Sequence, residues 1–254
     1  MDHRNSLYAS ISAISSGILL SFVLHDPSSI PNIYSDIVSF WGRQWVSAGQ
    51  IPYVQSFFEY PTISGLILYS ARIIGASFAG YYEVFSLFSF IAAIGVAWSS
   101  WKIARKIGKN LNPVFFLMPS IIIYGIYNFD LFHILFILLS LQALLIRRRS
   151  LSGIMLALAI ATKLTSVVLI PVYLLEIKGS RERVKFATIT GLVYSIFNVP
   201  FILINFGNWF QTFTYLRNWG LEDAWYVWIF QNPASWDYAK YFGFGIMGIL
   251  LIRI

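Results

Sequence analysis

Asp36 stands at the head of a stretch in which two kinds of residue recur at helical spacing. Ile37, Trp41, Trp45 and Ala48 fall on one stripe, and Asp36, Ser39, Arg43 and Ser47 on another. The pattern predicts an amphipathic helix over 34–48 lying in a membrane interface, with indole rings at headgroup depth. Ser35 suits its N-cap and Gly49 its end. A carboxylate on the polar face of such a helix can take a proton from a substrate hydroxyl. The same spacing also describes a plain interfacial anchor. Glu59 follows in 50–62, a segment stiffened by Pro52 and Pro61. It reads as a second carboxylate facing the cavity of Asp36, or as an acid favouring the start of the next helix. Asn128 and Asp130 lie between two apolar stretches, where an ionisable group points to function. His133 shares the face of Asp130 and reads first as a packing residue. Lys163 interrupts the apolar runs 151–161 and 164–175. An ammonium at a helix centre costs about 2.5–3.5 kcal/mol to insert. Lys163 is therefore expected to meet an anion, either a phosphate or one of the acids above. The stretch 214–226 combines aromatics and amides with Arg217, Glu222 and Asp223. That is the lining of a sugar or amphiphile site, or an interfacial aromatic belt.

The elements that hold these residues are set by composition. Of 254 residues, 57% are hydrophobic and only 11% charged, against about 25% charged in a soluble domain. So few charges cannot cover a soluble surface of this size. The chain reads as one integral-membrane domain over 1–254, an all-α polytopic helix bundle. Apolar segments run over 7–24, 62–79, 84–101, 113–127, 129–146, 151–177, 186–206 and 241–252. The absence of cysteine removes disulfides, thiolate metal sites and cysteine nucleophiles. No phosphate-binding loop, HExxH pair or dinucleotide turn is present. The basic clusters are short membrane flanks, so no nucleic-acid partner is expected.

Eleven of the 18 basic residues sit in three clusters at 102–109, 147–149 and 178–185. With Arg4, these predict a cytoplasmic N-terminus and cytoplasmic flanks. The segment 113–146 then becomes a hairpin whose tip, Asn128 to Asp130, faces outward. The segment 151–177 becomes a second hairpin that turns near Lys163, or a single kinked helix. Segment 62–79 must be a short re-entrant or tilted helix; a rival topology lets it span and places 102–109 outside. In the favoured topology Asp26, Asp36, Glu59, Glu83, Asp130, Glu222, Asp223 and Asp237 share the outer face. The two long polar stretches, 25–61 and 207–240, fall there as outer loops.

Several of these motifs together resemble the GT-C superfamily of membrane glycosyltransferases. They are Tyr34-Ser35-Asp36-Ile37, Gly49 to Tyr53, Phe58-Glu59-Tyr60-Pro61, Asn128-Phe129-Asp130-Leu131, and Gly153 with Ala161 to Leu164. The chain is most similar to polyprenyl-phosphate-mannose-dependent mannosyltransferases. The resemblance implies a catalytic Asp36 in the first outer loop. It also implies inverting transfer of a hexose from a lipid monophosphate to a lipid- or glycan-linked hydroxyl. Lys163, Arg43 and Arg217 are then candidates for holding the leaving phosphate. Glu59, Tyr60, Asn128 and Asp130, with Glu222 and Asp223, are candidates for binding substrate. No cofactor is implied, and no divalent metal is expected, because Lys and Arg can hold a monophosphate. Membrane lipid is the expected surround. Thr62 stands where many relatives carry a second proline, and the chain is short for the family. The C-terminus is therefore expected to be incomplete relative to relatives, and a second membrane subunit is a possible partner. The alternatives are a transporter or flippase of a lipid-linked sugar and a non-catalytic truncated subunit or paralogue.

Overall fold

A computed structural model describes residues 3–29, 32–218 and 229–252. Among them there is no β-strand, and helices carry the fold. Inside lipid a backbone must satisfy its own polar groups, which helices do. Three helices are long and apolar enough to cross: α1 (His3–His25), α5 (Phe78–Lys106) and α10 (Ser180–Asn218). Between them lie α2 (Asp36–Trp41), α3 (Gln44–Ser47), α4 (Thr62–Gly75), α6 (Pro119–Tyr124), α7 (Asp130–Leu145), α8 (Arg149–Thr162) and α9 (Leu169–Glu176). The last helix is α11 (Trp236–Ile252).

Cross-links between helices fix their directions. The Tyr82 hydroxyl near the start of α5 donates to Phe22 O near the end of α1, at 2.7 Å. At the other end, Ser6 Oγ donates to Leu111 O at 2.6 Å. α1 and α5 are therefore antiparallel. α4 spans only about 21 Å at 1.5 Å per residue, short of a roughly 30 Å hydrocarbon core. It starts inside the bundle, where Ser64 Oγ donates to Thr162 O at 2.8 Å. It ends where the Arg72 guanidinium donates to the carbonyls of Val46 and Ser47. A tight turn then leads into α5: a Cβ on Gly75 would lie 2.3 Å from the backbone of Gly80. The helical part of 62–79 is thus short, as the favoured topology expected of a re-entrant or tilted helix.

The segment 151–177 is the expected hairpin, not a single kinked helix. α8 stops at Thr162, Lys163 is extended (φ −150°, ψ 121°), and a 3-10 turn over Leu164–Val168 leads into α9. The turn 146–148 joins α7 to α8 at the opposite end, where Ser140 Oγ donates to Ser152 O. The basic clusters therefore gather at one end of the bundle, and the 128–130 tip lies at the other.

Three expectations change. The segment 113–127 is not a helical arm. Pro113 and Pro119 lack donors, and the chain breaks into a 3-10 turn (Pro113–Leu117) and α6. Side chains of α1 satisfy the broken backbone: Ser21 Oγ accepts from Ile126 N at 2.9 Å, and His25 Nε2 lies 2.7 Å from Ile123 O. The single helix over 34–48 is two short ones, α2 and α3, separated at Gly42-Arg43. The stretch 207–240 is not one loop, because α10 continues to Asn218 past a kink at Asn205 (φ −151°, ψ 84°). The polar residues of that extension hold the first loop. Asn205 and Asn208 each donate from Nδ2 to Val54 O at 3.1 Å, and Thr212 Oγ1 donates to Phe58 O at 2.6 Å.

Candidate functional site

Asp36 is the first residue of α2, and Ser35 caps that helix by accepting from Val38 N at 3.3 Å. The helix is pinned to the bundle at Ile37. Its N–H donates to Tyr127 O (3.3 Å), and its carbonyl accepts from the buried Tyr81 hydroxyl (3.0 Å). Both carboxylate oxygens of Asp36 accept from tyrosine hydroxyls, Tyr60 at 2.9 Å and Tyr34 at 3.2 Å.

Tyr60 is held in turn. Its ring meets those of Phe129, Phe58 and Phe40 with centroids 5.0, 5.6 and 6.0 Å away. The hydroxyl of Tyr53 lies 2.7 Å from Tyr60 O and 2.8 Å from Pro61 O, and donates to this pair of carbonyls. Tyr53 is fully buried at φ +63°, in the left-handed region. Gly65 permits this approach, since a Cβ there would lie 2.3 Å from the Tyr53 hydroxyl. Loop 50–61 is thus a rigid platform under Asp36.

Burial pushes the Asp36 carboxyl above the usual carboxylate range. The Tyr60 and Tyr34 hydroxyls offset this in part by stabilising the charged form, while the charges of Glu59 and Asp130 add to the upward push. Tyr60 is pushed far above its ordinary value, by burial first and then by the charge of Asp36, so it remains a donor.

Lys163 meets Asp130, one of the acids expected for it, with Nζ 2.5 Å from Oδ1. Asn128 Oδ1 accepts from the backbone N–H of Asp130 at 2.8 Å and fixes the start of α7. The two charged side chains are 36% and 31% exposed, so an incoming anion can reach the ammonium. Asp36, Glu59, Tyr60, Asn128, Asp130 and Lys163 are therefore gathered at one end of the bundle. His133 Nδ1 lies 3.3 Å from Ala159 O, as a packing residue should.

Arg43 and Glu59 turn on each other. The guanidinium makes a forked ion pair with the carboxylate, which is 2% exposed, and stacks over Phe40 at 4.9 Å. Neither is free in the way the sequence suggested, because the loop brings residues 16 apart into one pair. Arg217 is exposed near the end of α10, where its carbonyl accepts from Lys240. Glu222 and Asp223 lie outside the described residues. Among the described residues, no group of three His, Asp or Glu side chains gathers to hold a metal. Tyr34 and Tyr53 stand in the motifs that carry the family resemblance, but the sequence assigned neither of them a role. Their only signal was position, two residues before the carboxylate and next to Pro52.

A family model described as glycosyltransferase family 87 matches residues 57–244, about three quarters of the chain. The match takes in Glu59, Tyr60, Asn128, Asp130 and Lys163, and begins after Asp36 and Arg43. No curated protein and no solved structure matches the chain.

Proposed function

The chain belongs to glycosyltransferase family 87, and on that premise we propose a specific reaction for it. It moves a hexose, mannose by preference, from a polyprenyl-phosphate donor to a hydroxyl of a lipid- or glycan-linked acceptor. Asp36 acts as general base. The acceptor O–H gives its proton to Asp36 as its oxygen attacks the anomeric carbon. The bond from that carbon to the phosphate oxygen breaks on the opposite face, inverting the centre. Polyprenyl monophosphate leaves with its negative charge turned toward Lys163.

One observation carries this reading. A half-buried carboxylate, oriented by two hydroxyls, shares one end of the bundle with a partly exposed lysine. The first is suited to take a proton and the second to receive an anion. Charge sorting supports the outer face: the three basic clusters crowd the opposite end, which the positive-inside rule assigns to the cytoplasm.

The test is donor choice. Purified protein in liposomes is expected to transfer labelled hexose from polyprenyl phosphate-hexose and to release polyprenyl monophosphate. Transfer from a nucleotide-sugar alone would overturn the donor assignment. The acid limb of the pH–rate profile should lie above the ordinary carboxylate range, because Asp36 must be ionised to act and burial raises its pKa. Tyr60→Phe removes a hydrogen bond that favours the ionised form. The limb should then move to higher pH, while activity on the alkaline side is largely kept. A limb that stays put would detach Tyr60 from Asp36.

A further inference from the structure

We propose that the basic end of the bundle holds one anionic phospholipid, in a built site separate from the candidate active site. A cavity of about 690 Å³ opens there between the α7–α8 turn and α9. Leu141, Leu145, Val172 and Leu175 form apolar walls, and Arg147 and Arg149 stand at the mouth. The volume is in the range of small-molecule sites. Leucine walls under paired guanidinium groups match acyl chains under a phosphodiester, and basic pockets between membrane helices suit such headgroups. Among the described residues neither arginine is in an ion pair. Arg149 spends one N–H on Leu144 O at 3.0 Å. Glu176 is the one acid at the rim and is outnumbered.

Backbone conformation gives a second, independent reason. Arg147 sits at φ +61°. It occupies the left-handed position of a helix-ending motif in which Arg147 N donates to Leu144 O and Arg148 N to Ala143 O. The end of α5 makes the same motif, with Gly108 N on Arg105 O and Lys109 N on Ala104 O. There the left-handed residue is glycine, at φ +71°. Glycine adopts this conformation without strain and arginine does not. A strained side chain kept at a cavity mouth points to use of that side chain. A second cavity of about 370 Å³ shares Leu145 and adds Lys102, Arg105 and Lys106. The field around the headgroup is therefore strongly positive.

The substitution that would relieve the backbone also removes the charge, so stability and binding should move apart. Purified protein is given equal phosphatidylglycerol and phosphatidylcholine, and retained lipid is counted by native mass spectrometry. Wild type is expected to keep one phosphatidylglycerol, at least tenfold over phosphatidylcholine, and inorganic phosphate should not displace it. Arg147→Gly should be at least as heat-resistant as wild type, yet lose that preference several-fold. Leu141→Trp, which fills the cavity and keeps every charge, should lose it as well. Lys185→Gln, at the same end but away from the cavity, should keep it. The proposal is overturned by equal retention of the two lipids, by an Arg147→Gly variant that still prefers phosphatidylglycerol, or by an equal loss in Lys185→Gln. Displacement by inorganic phosphate would mark an anion site without lipid.

Discussion

Asp36→Asn is expected to fold as wild type does and to lose about 10²–10⁴-fold in sugar transfer, the range for removing a positioned general base. The amide keeps the shape of the carboxylate, and its oxygen still accepts from the Tyr60 hydroxyl, 2.9 Å away in the wild type. The Ser35 cap and the two Ile37 hydrogen bonds that fix α2 do not involve the Asp36 side chain. What is removed is the charge, the capacity to take a proton and the acceptor for the Tyr34 hydroxyl, 3.2 Å away in the wild type. Thermal unfolding in detergent should be near that of wild type while turnover collapses, with donor binding retained. Turnover within a few-fold of wild type would remove Asp36 from the base role.

Lys163→Gln should cost about 10²–10³-fold, the usual effect of deleting one fixed group that stabilises developing negative charge. Stability should change little. The Lys163–Asp130 pair is about one third exposed, and pairs so exposed contribute about 1 kcal/mol or less. The loss should therefore appear in transfer and not in the unfolding midpoint. Lys163→Arg keeps a cation within reach of Asp130 and should recover part of the rate. If Arg and Gln variants fail alike while both remain folded, Lys163 acts through shape and not through charge.

Much of this was legible because membrane chains spend charge sparingly. A single lysine between apolar runs marked the break at 163, and three basic clusters marked which helix ends lie together. Those two facts favoured a short α4 and an α8–α9 hairpin over a spanning 62–79 and a single kinked helix before any contact was known. Other features depend on partners distant in sequence. The stretch 113–127 is as apolar as a span, and its satisfaction by Ser21 and His25 is not a local property. The Arg43–Glu59 pair follows from the fold of loop 50–61, which α10 secures from about 150 residues away through Asn205, Asn208 and Thr212. The helix over 34–48 was read from stripe spacing, which does not register the break at Gly42-Arg43. Arg147 is a different case: nothing in a run of three arginines shows that the first takes a left-handed backbone.

The central claim is a single displacement at the anomeric carbon, with Asp36 deprotonating the acceptor. The measurement that tests it most directly is the anomeric configuration of the product. It is read by NMR after transfer from a donor of known configuration. Asp36 acting as base on an attacking hydroxyl predicts complete inversion. Retention of the donor's configuration would contradict it, because retention requires a double displacement or a front-face attack and not a single displacement with Asp36 as base.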